Sequence, residues 1–265
     1  MKRNLGKLET QFFAWVQLRK RTTVRAGDVG SALRITGKQA NELLSRLTRA
    51  GLIARVKKGL YLVPERLPLG GKWSPSEALA LKTLTEDAGG RYQICGPNAF
   101  NRYGFDDQIP IVTYAYNNRF SGTRRIGSVL LSLIKVSDKR LGATDSVETR
   151  DGLLLVYSSK LRTLIDAVYD WSRFNGLPRA YGWIREEIGK NSRSADKLVQ
   201  LALAYGNQGT MRRLGYLLDR EGVRPPLVGK LKDAINPSSA LIPWDPTRRQ
   251  RGKTIRTWGI LDNVQ

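Results

Sequence analysis

Seven side chains between positions 38 and 49 carry the chemistry of nucleic-acid recognition: Lys38, Gln39, Asn41, Glu42, Ser45, Arg46 and Arg49. Gln and Asn pair bidentately with adenine and Arg with guanine, while Ser and Arg also bond phosphate oxygens. They can act together only if one element presents them on one face. The residues between them provide it: Ala40, Leu43, Leu44 and Leu47 recur at i, i+3, i+4 and i+7, which predicts an amphipathic helix over 36–50. Thr36 and Gln39 match a capping box at its start, and Gly51 is its stop. The N-terminal end of such a helix reaches deepest into a groove, so Lys38, Gln39, Asn41 and Glu42 are the candidates for bases. Gln39 also caps the helix and therefore ranks below Asn41. Ser45, Arg46 and Arg49 are placed on phosphates.

A basic ribbon follows. Strand-like segments at 53–56 (IARV) and 60–64 (LYLVP) flank Lys57-Lys58-Gly59, which predicts a hairpin. Arg55, Lys57 and Lys58 at such a tip repel one another and call for an anionic partner. Upstream, apolar spacing predicts an opening helix over 5–20, and Val24, Val29, Ala32 and Leu33 predict a second short helix that starts near Arg25. Helices, capped helix and basic hairpin come in the order of a winged helix-turn-helix.

The expected fold is α+β: a winged helix-turn-helix at 1–68, then a mixed C-terminal domain at 69–265. Pro64, Pro68 and Gly70-Gly71 mark the boundary. The C-terminal part is β-rich over about 69–158, helical over about 159–240, and ends in a strand at about 254–261 that could return to the sheet. Strands are expected at 91–95, 109–116, 128–136, 144–149 and 153–157. Ser74 is read as an N-cap, with Pro75 at the first helical position.

Charge agrees with a polyanionic partner. The 265 residues hold 45 Lys and Arg against 23 Asp and Glu, a formal net charge of +22 and a pI near 10.5. Residues 1–68 alone hold fifteen basic and four acidic side chains. A second basic run, Arg248, Arg249, Arg251, Lys253 and Arg256, lies near the C-terminus, and Arg212 with Arg213 is a further possible contact. Duplex DNA is favoured over RNA, since neither an aromatic RNP-like strand nor a GXXG loop is present. No basic helix carries a continuous apolar face for a membrane surface. The single Cys95 fits a reducing cytoplasm, and no secretory leader or membrane span is evident.

Histidine is absent, which removes Ser-His-Asp and Cys-His nucleophilic chemistry and His-ligated zinc. The remaining enzymatic alternative is carboxylate–metal hydrolysis by some of Asp106, Asp107, Asp145, Glu148, Asp151, Asp166 and Asp170. Asp106-Asp107 and Asp151-Gly152 read as turns, and Arg162 with Asp166 as an i,i+4 ion pair. No acid-x-lysine nuclease strand, P-loop or dinucleotide fingerprint is found, and no cofactor or metal is expected.

The segment GLIARVKKGLY resembles the N-terminal domain of the AbiEi-type antitoxins of type IV toxin–antitoxin systems, through Gly51, Arg55, Lys58, Gly59 and Tyr61. KLRTLIDAV (160–168) and MRRLGYLLDREG (211–222) are similar to that family's helical segments, and CGPNAFNRYGF (95–105) and WGILDN (258–263) are weaker echoes. Segments 106–158 and 223–253 carry no likeness, and the 248–256 basic run departs from the family. The resemblance implies an abortive-infection autorepressor that binds repeats in its own promoter. It also implies a C-terminal domain that counters a nucleotidyltransferase-like toxin without a stable complex.

Overall fold

The computed structural model describes residues 5–68 and 71–264; Gly70 of the expected boundary lies outside the described residues. The chain is α+β. It opens with α1 (Lys7–Leu18), β1 (Thr23–Arg25), α2 (Ala26–Leu33), α3 (Gly37–Arg49), β2 (Ala54–Lys57) and β3 (Leu60–Leu62). Then come α4 (Glu77–Glu86), β4 (Tyr92–Ile94), α5 (Pro97–Arg102), β5 (Val112–Asn117), β6 (Gly122–Ile126), β7 (Val129–Lys135), β8 (Thr144–Glu148) and β9 (Leu154–Ser158). Helices follow: α6 (Lys160–Tyr169), α7 (Trp171–Phe174), α8 (Arg179–Lys190), α9 (Ser194–Tyr205), α10 (Gln208–Arg220) and α11 (Pro225–Asp233). Three short strands close the chain: β10 (Ile242–Pro243), β11 (Lys253–Ile255) and β12 (Ile260–Asp262).

Two compact units emerge. The first takes the described residues up to Tyr92 with Ile111–Lys135 and Glu148–Leu155; the second takes Gln93–Pro110, Val136–Val147 and the described residues from Val156 onward. Residues 71–92 therefore group with the N-terminal helices, beyond the expected boundary at 68.

In the first unit, α1, α2 and α3 close on a core of Phe12, Phe13, Val16, Val29, Leu43, Leu44 and Leu47. Each leucine removed from water contributes about 1.5–3 kcal/mol, so the apolar stripe of α3 fixes which face turns outward. The helix stops where its last carbonyls are satisfied: Gly51, at φ 70°, donates to Thr48 O, and Leu52 donates to Leu47 O at 3.0 Å. The sheet order is β1-β3-β2, all antiparallel, with Tyr61 opposite both Val24 and Arg55. Val24 is thus a strand residue, and the second helix begins at Ala26 with Arg25 as its N-cap, next to the expected start.

Helix α4 is capped by Ser76, whose hydroxyl accepts from Leu79 N, two residues later than expected. Ser74 instead accepts from Ser128 N at 2.8 Å. Strand β6 was not expected from the sequence. It pairs antiparallel with β7 through a Gly127-Ser128 turn, and β7 pairs in parallel with β5.

In the second unit, α6, α9, α10 and α11 pack on Leu164, Leu198, Leu217 and Leu231, all buried. A polar centre lies among them. Arg140 and Arg162 both donate to Asp166 Oδ1, at 2.6 and 3.0 Å, and Ser158 donates to Oδ2 at 2.9 Å. Gln93 donates to Ser158 and accepts from Gly142 N, while Arg162 donates to the carbonyls of Arg140 and Gly142. The expected i,i+4 pair is therefore fully buried and part of a larger network. The terminal segment is two strands rather than one, and with β10 they form a separate sheet of order β10-β12-β11. Gly215 of α10 meets Trp258 there: a methyl group at this position would lie 2.1 Å from the indole.

Asp166→Ala would leave two buried guanidinium groups without their carboxylate. The expected cost is about 3–5 kcal/mol in urea unfolding followed by circular dichroism; a loss under about 1 kcal/mol would show the network to be dispensable.

Candidate nucleic-acid interface

The face of α3 opposite the core is formed by the predicted residues. Lys38, Gln39, Asn41, Glu42, Ser45, Arg46 and Arg49 are all exposed. The start of the helix is held by the predicted capping box: Gln39 N donates to Thr36 Oγ1 at 3.3 Å, and Thr36 N donates to Gln39 Oε1 at 2.9 Å. Gln39 is thereby occupied by its structural role. Asn41 Nδ2 donates one proton to Gly37 O at 2.8 Å. The amide keeps a second proton and its carbonyl oxygen, the pair that adenine N7 and N6 require. Arg46 Nε donates to Glu9 Oε1 at 2.9 Å, and Glu9 is itself buried. Lys38 and Arg49 have no ion pair among the described residues.

The hairpin differs from its expected form. Lys57 ends β2 opposite Leu60, so the turn is Lys58-Gly59, with Gly59 at φ 78°. Lys58 and Arg55 are exposed, and Arg55 Nε lies 3.4 Å from Lys57 O. Lys57 is not a free cation. Its ammonium pairs with Asp87, and Arg25 pairs with the same carboxylate, which is only 8% exposed. The sequence reading missed Arg25 and Asp87 as well as the fate of Lys57. Lys57 and Asp87 are thirty residues apart, and no periodicity links them.

The proposed additional contacts separate into two groups. Arg212 and Arg213 are 7% and 6% exposed, so they are not surface contacts. Arg213 donates to Pro243 O and packs over Trp171, and burial lowers its guanidinium from the ordinary arginine value. Helix α10 is buried on nearly all sides from Thr210 to Leu218, and the hydrophobic stripe alone did not reveal this. Arg248, Arg249, Arg251 and Lys253 are exposed.

Several of the acidic residues considered for metal hydrolysis have separate partners. Asp106 accepts from Gln108 N and pairs with Arg179, and these hold its carboxyl below the ordinary value. Asp145 accepts from Tyr103 and Asp151 from Ser76. Among the described residues no three His, Cys, Asp or Glu side chains are grouped to hold a metal ion. No helix among them is long and apolar enough to cross a membrane.

No protein-family model matches this chain, and no curated protein matches it. Among solved structures, the RV2827C protein from Mycobacterium tuberculosis is similar over 99% of this chain and 93% of its own, with a TM-score of 0.59 and 15% identity. That likeness is one of fold, an α+β architecture spanning nearly the whole chain; fold alone does not carry function.

The Lys57 ammonium holds the Asp87 carboxyl below its ordinary 3.8, with Arg25 adding to this and burial opposing it. A carboxyl whose folded value lies below its unfolded one contributes stability above the unfolded value and loses it as pH falls through the folded one. The cluster should therefore hold throughout the neutral range. An NMR titration should place the Asp87 midpoint below 3.8, and Lys57→Ala should move it upward. An unmoved midpoint would contradict the pairing.

Proposed function

We propose that the chain is a sequence-specific duplex-DNA-binding protein that represses its own promoter. In this reading α2, the Arg34-Ile35 turn and α3 form the helix-turn-helix, and β2–β3 form the wing. The observation that carries it is the α3 face: an N-terminus fixed by a capping box, four buried apolar residues, and seven exposed polar ones. Base contacts fall to Asn41, Lys38 and Glu42, and phosphate contacts to Arg46, Arg49, Arg55 and Lys58. Lys57 serves as a strut that joins the wing strand to Asp87.

The antitoxin role in a type IV system, against a nucleotidyltransferase-like toxin, is proposed on the resemblance at 51–61, 160–168 and 211–222. Part of its third segment has a packing role, since Gly215 makes room for Trp258. Co-expression with such a toxin from the neighbouring gene should restore growth; continued toxicity would leave the repressor reading standing alone.

Fluorescence anisotropy with the upstream promoter duplex and a shuffled duplex tests the DNA reading. The promoter should be preferred by about 10³-fold or more at physiological salt; equal affinities would refute it. Asn41→Ala should remove about 1–3 kcal/mol of that preference with little change on shuffled DNA. Lys58→Ala should weaken both duplexes alike and reduce the salt slope by about 1. Equal losses on both duplexes for Asn41→Ala would remove it from the base-reading set.

A further inference from the structure

The geometry points to a second DNA-backbone contact on the second unit, the arginine loop between β10 and β11. It rests on the DNA-binding reading above and extends that reading beyond the α3 face. Arg249, Arg251, Lys253 and Arg256 are exposed, and none has an ion pair among the described residues; Arg248 alone is paired, to Asp245 at 3.3 Å. Four like charges within eight residues repel one another, and among the described residues no carboxylate pairs with any of them.

The loop is built to hold them. Asn263, 6% exposed, donates from Nδ2 to the carbonyls of Asp245 and Arg249 at 2.8 and 3.1 Å. Asn263 Oδ1 accepts from Asp245 N at 2.9 Å. The buried Asp245 carboxylate accepts in turn from Thr247 N, and Arg251 N donates to Arg249 O, both at 2.9 Å. Gly252 allows close passage: a methyl group there would lie 1.9 Å from Asp262 O. A tail that merely confers solubility needs none of these bonds, and an anchored loop presents its charges at low entropic cost.

A buried charge adds to the field. The Arg212 guanidinium abuts Gly259, whose N–H donates to Arg256 O, so it lies behind the turn that carries Arg256. Its Nε has no hydrogen-bond partner, and no carboxylate pairs with it among the described residues. Surrounded by protein rather than water, this charge is poorly screened.

The loop's chemistry selects the ligand. From 247 to 257 the exposed side chains are cationic, amide or hydroxyl, and the one large apolar residue, Ile255, is half-buried. Protein interfaces centre on aromatic, apolar or arginine anchors seated in a desolvated pocket, and this loop offers no aromatic or exposed apolar one; the phosphodiester backbone needs only cations and hydrogen-bond donors.

The test is the triple variant Arg249→Ser, Arg251→Ser, Lys253→Ser in the full chain, read on random duplex DNA as affinity against salt. The salt slope should fall by about 2–3, since each phosphate contact contributes about 0.9. The promoter preference should persist, and Arg249→Lys with Arg251→Lys should restore the slope. A slope unchanged within about 0.5 overturns the inference, as does tighter binding of duplex RNA than DNA by the loop. If the triple variant melts early, Arg251→Ser alone should still lower the slope by about 1, and an unchanged slope there also overturns it. Loss of promoter preference in the native protein would refute the repressor reading instead, and the slope on random DNA would remain a separate measure.

Discussion

Carboxylates are scarce in this chain, and the fold depends on how they are shared. Asp166 is completely buried, and burial of an ion is tolerable only when it is paired and fully hydrogen-bonded. Two guanidinium groups and a hydroxyl meet that need; Ser158 is held further by Gln93, and Arg162 by the carbonyls of Gly142 and Arg140. The rings of Tyr169 and Tyr205 lie 3.9 and 4.0 Å from the two guanidinium carbons, Arg140 and Arg162 respectively. The middle of β4, the end of β9, the 140–142 loop and α6 thereby take fixed positions around one charge. The first unit repeats the arrangement on a smaller scale, with Asp87 taking both Arg25 and Lys57.

With 45 basic side chains and 23 acidic ones, pairing two cations per buried acid still leaves many cations unmatched. Unmatched cations are spread over the surface, Lys7, Lys82, Lys139, Lys197 and Lys232 among them, and some gather on the elements described above. Lys38, Arg49 and Lys58 lie on the α3 face and the hairpin turn, and Arg249, Arg251, Lys253 and Arg256 on the anchored loop; none has an ion pair among the described residues. Pairing thus sorts the positive charge into structural and available fractions, and composition alone gave no such division.

Much of α3 was legible because its signals are local: Thr36, Gln39, the apolar stripe and Gly51 lie within sixteen residues of one another. Three-residue β1 was not, since one buried valine satisfies strand and helix spacing equally. Strand β6 escaped notice for a related reason. Only Ile126 of Gly122–Ile126 is buried, and its arginines give no alternation to detect. Ser74 and Ser76 each offer a cap, and what decides between them is Ser128, fifty-four positions from Ser74. The burial of Arg212 and Arg213 and the capture of Lys57 also depend on distant partners. Side-chain chemistry could be read locally, but whether a charge is free is a tertiary property.

This division bears on specificity. A net charge of +22 attracts any polyanion, and an interface of unmatched cations would bind all DNA alike. The proposed reading face is tempered by acids. Glu42 stands exposed among the basic residues of α3, Glu9 holds one nitrogen of Arg46, and Asp87 withdraws Lys57. A carboxylate facing the groove is repelled by phosphate and can accept only from a suitable base donor such as cytosine N4. In the proposed reading Glu42 would therefore lower affinity for an arbitrary duplex more than for a matched one, and selectivity between partners depends on such repulsive elements. The loop in the second unit has no such acid apart from Asp245, which is occupied by Arg248 and the loop backbone. General attraction and base reading would then reside on different surfaces, and loss of one need not remove the other.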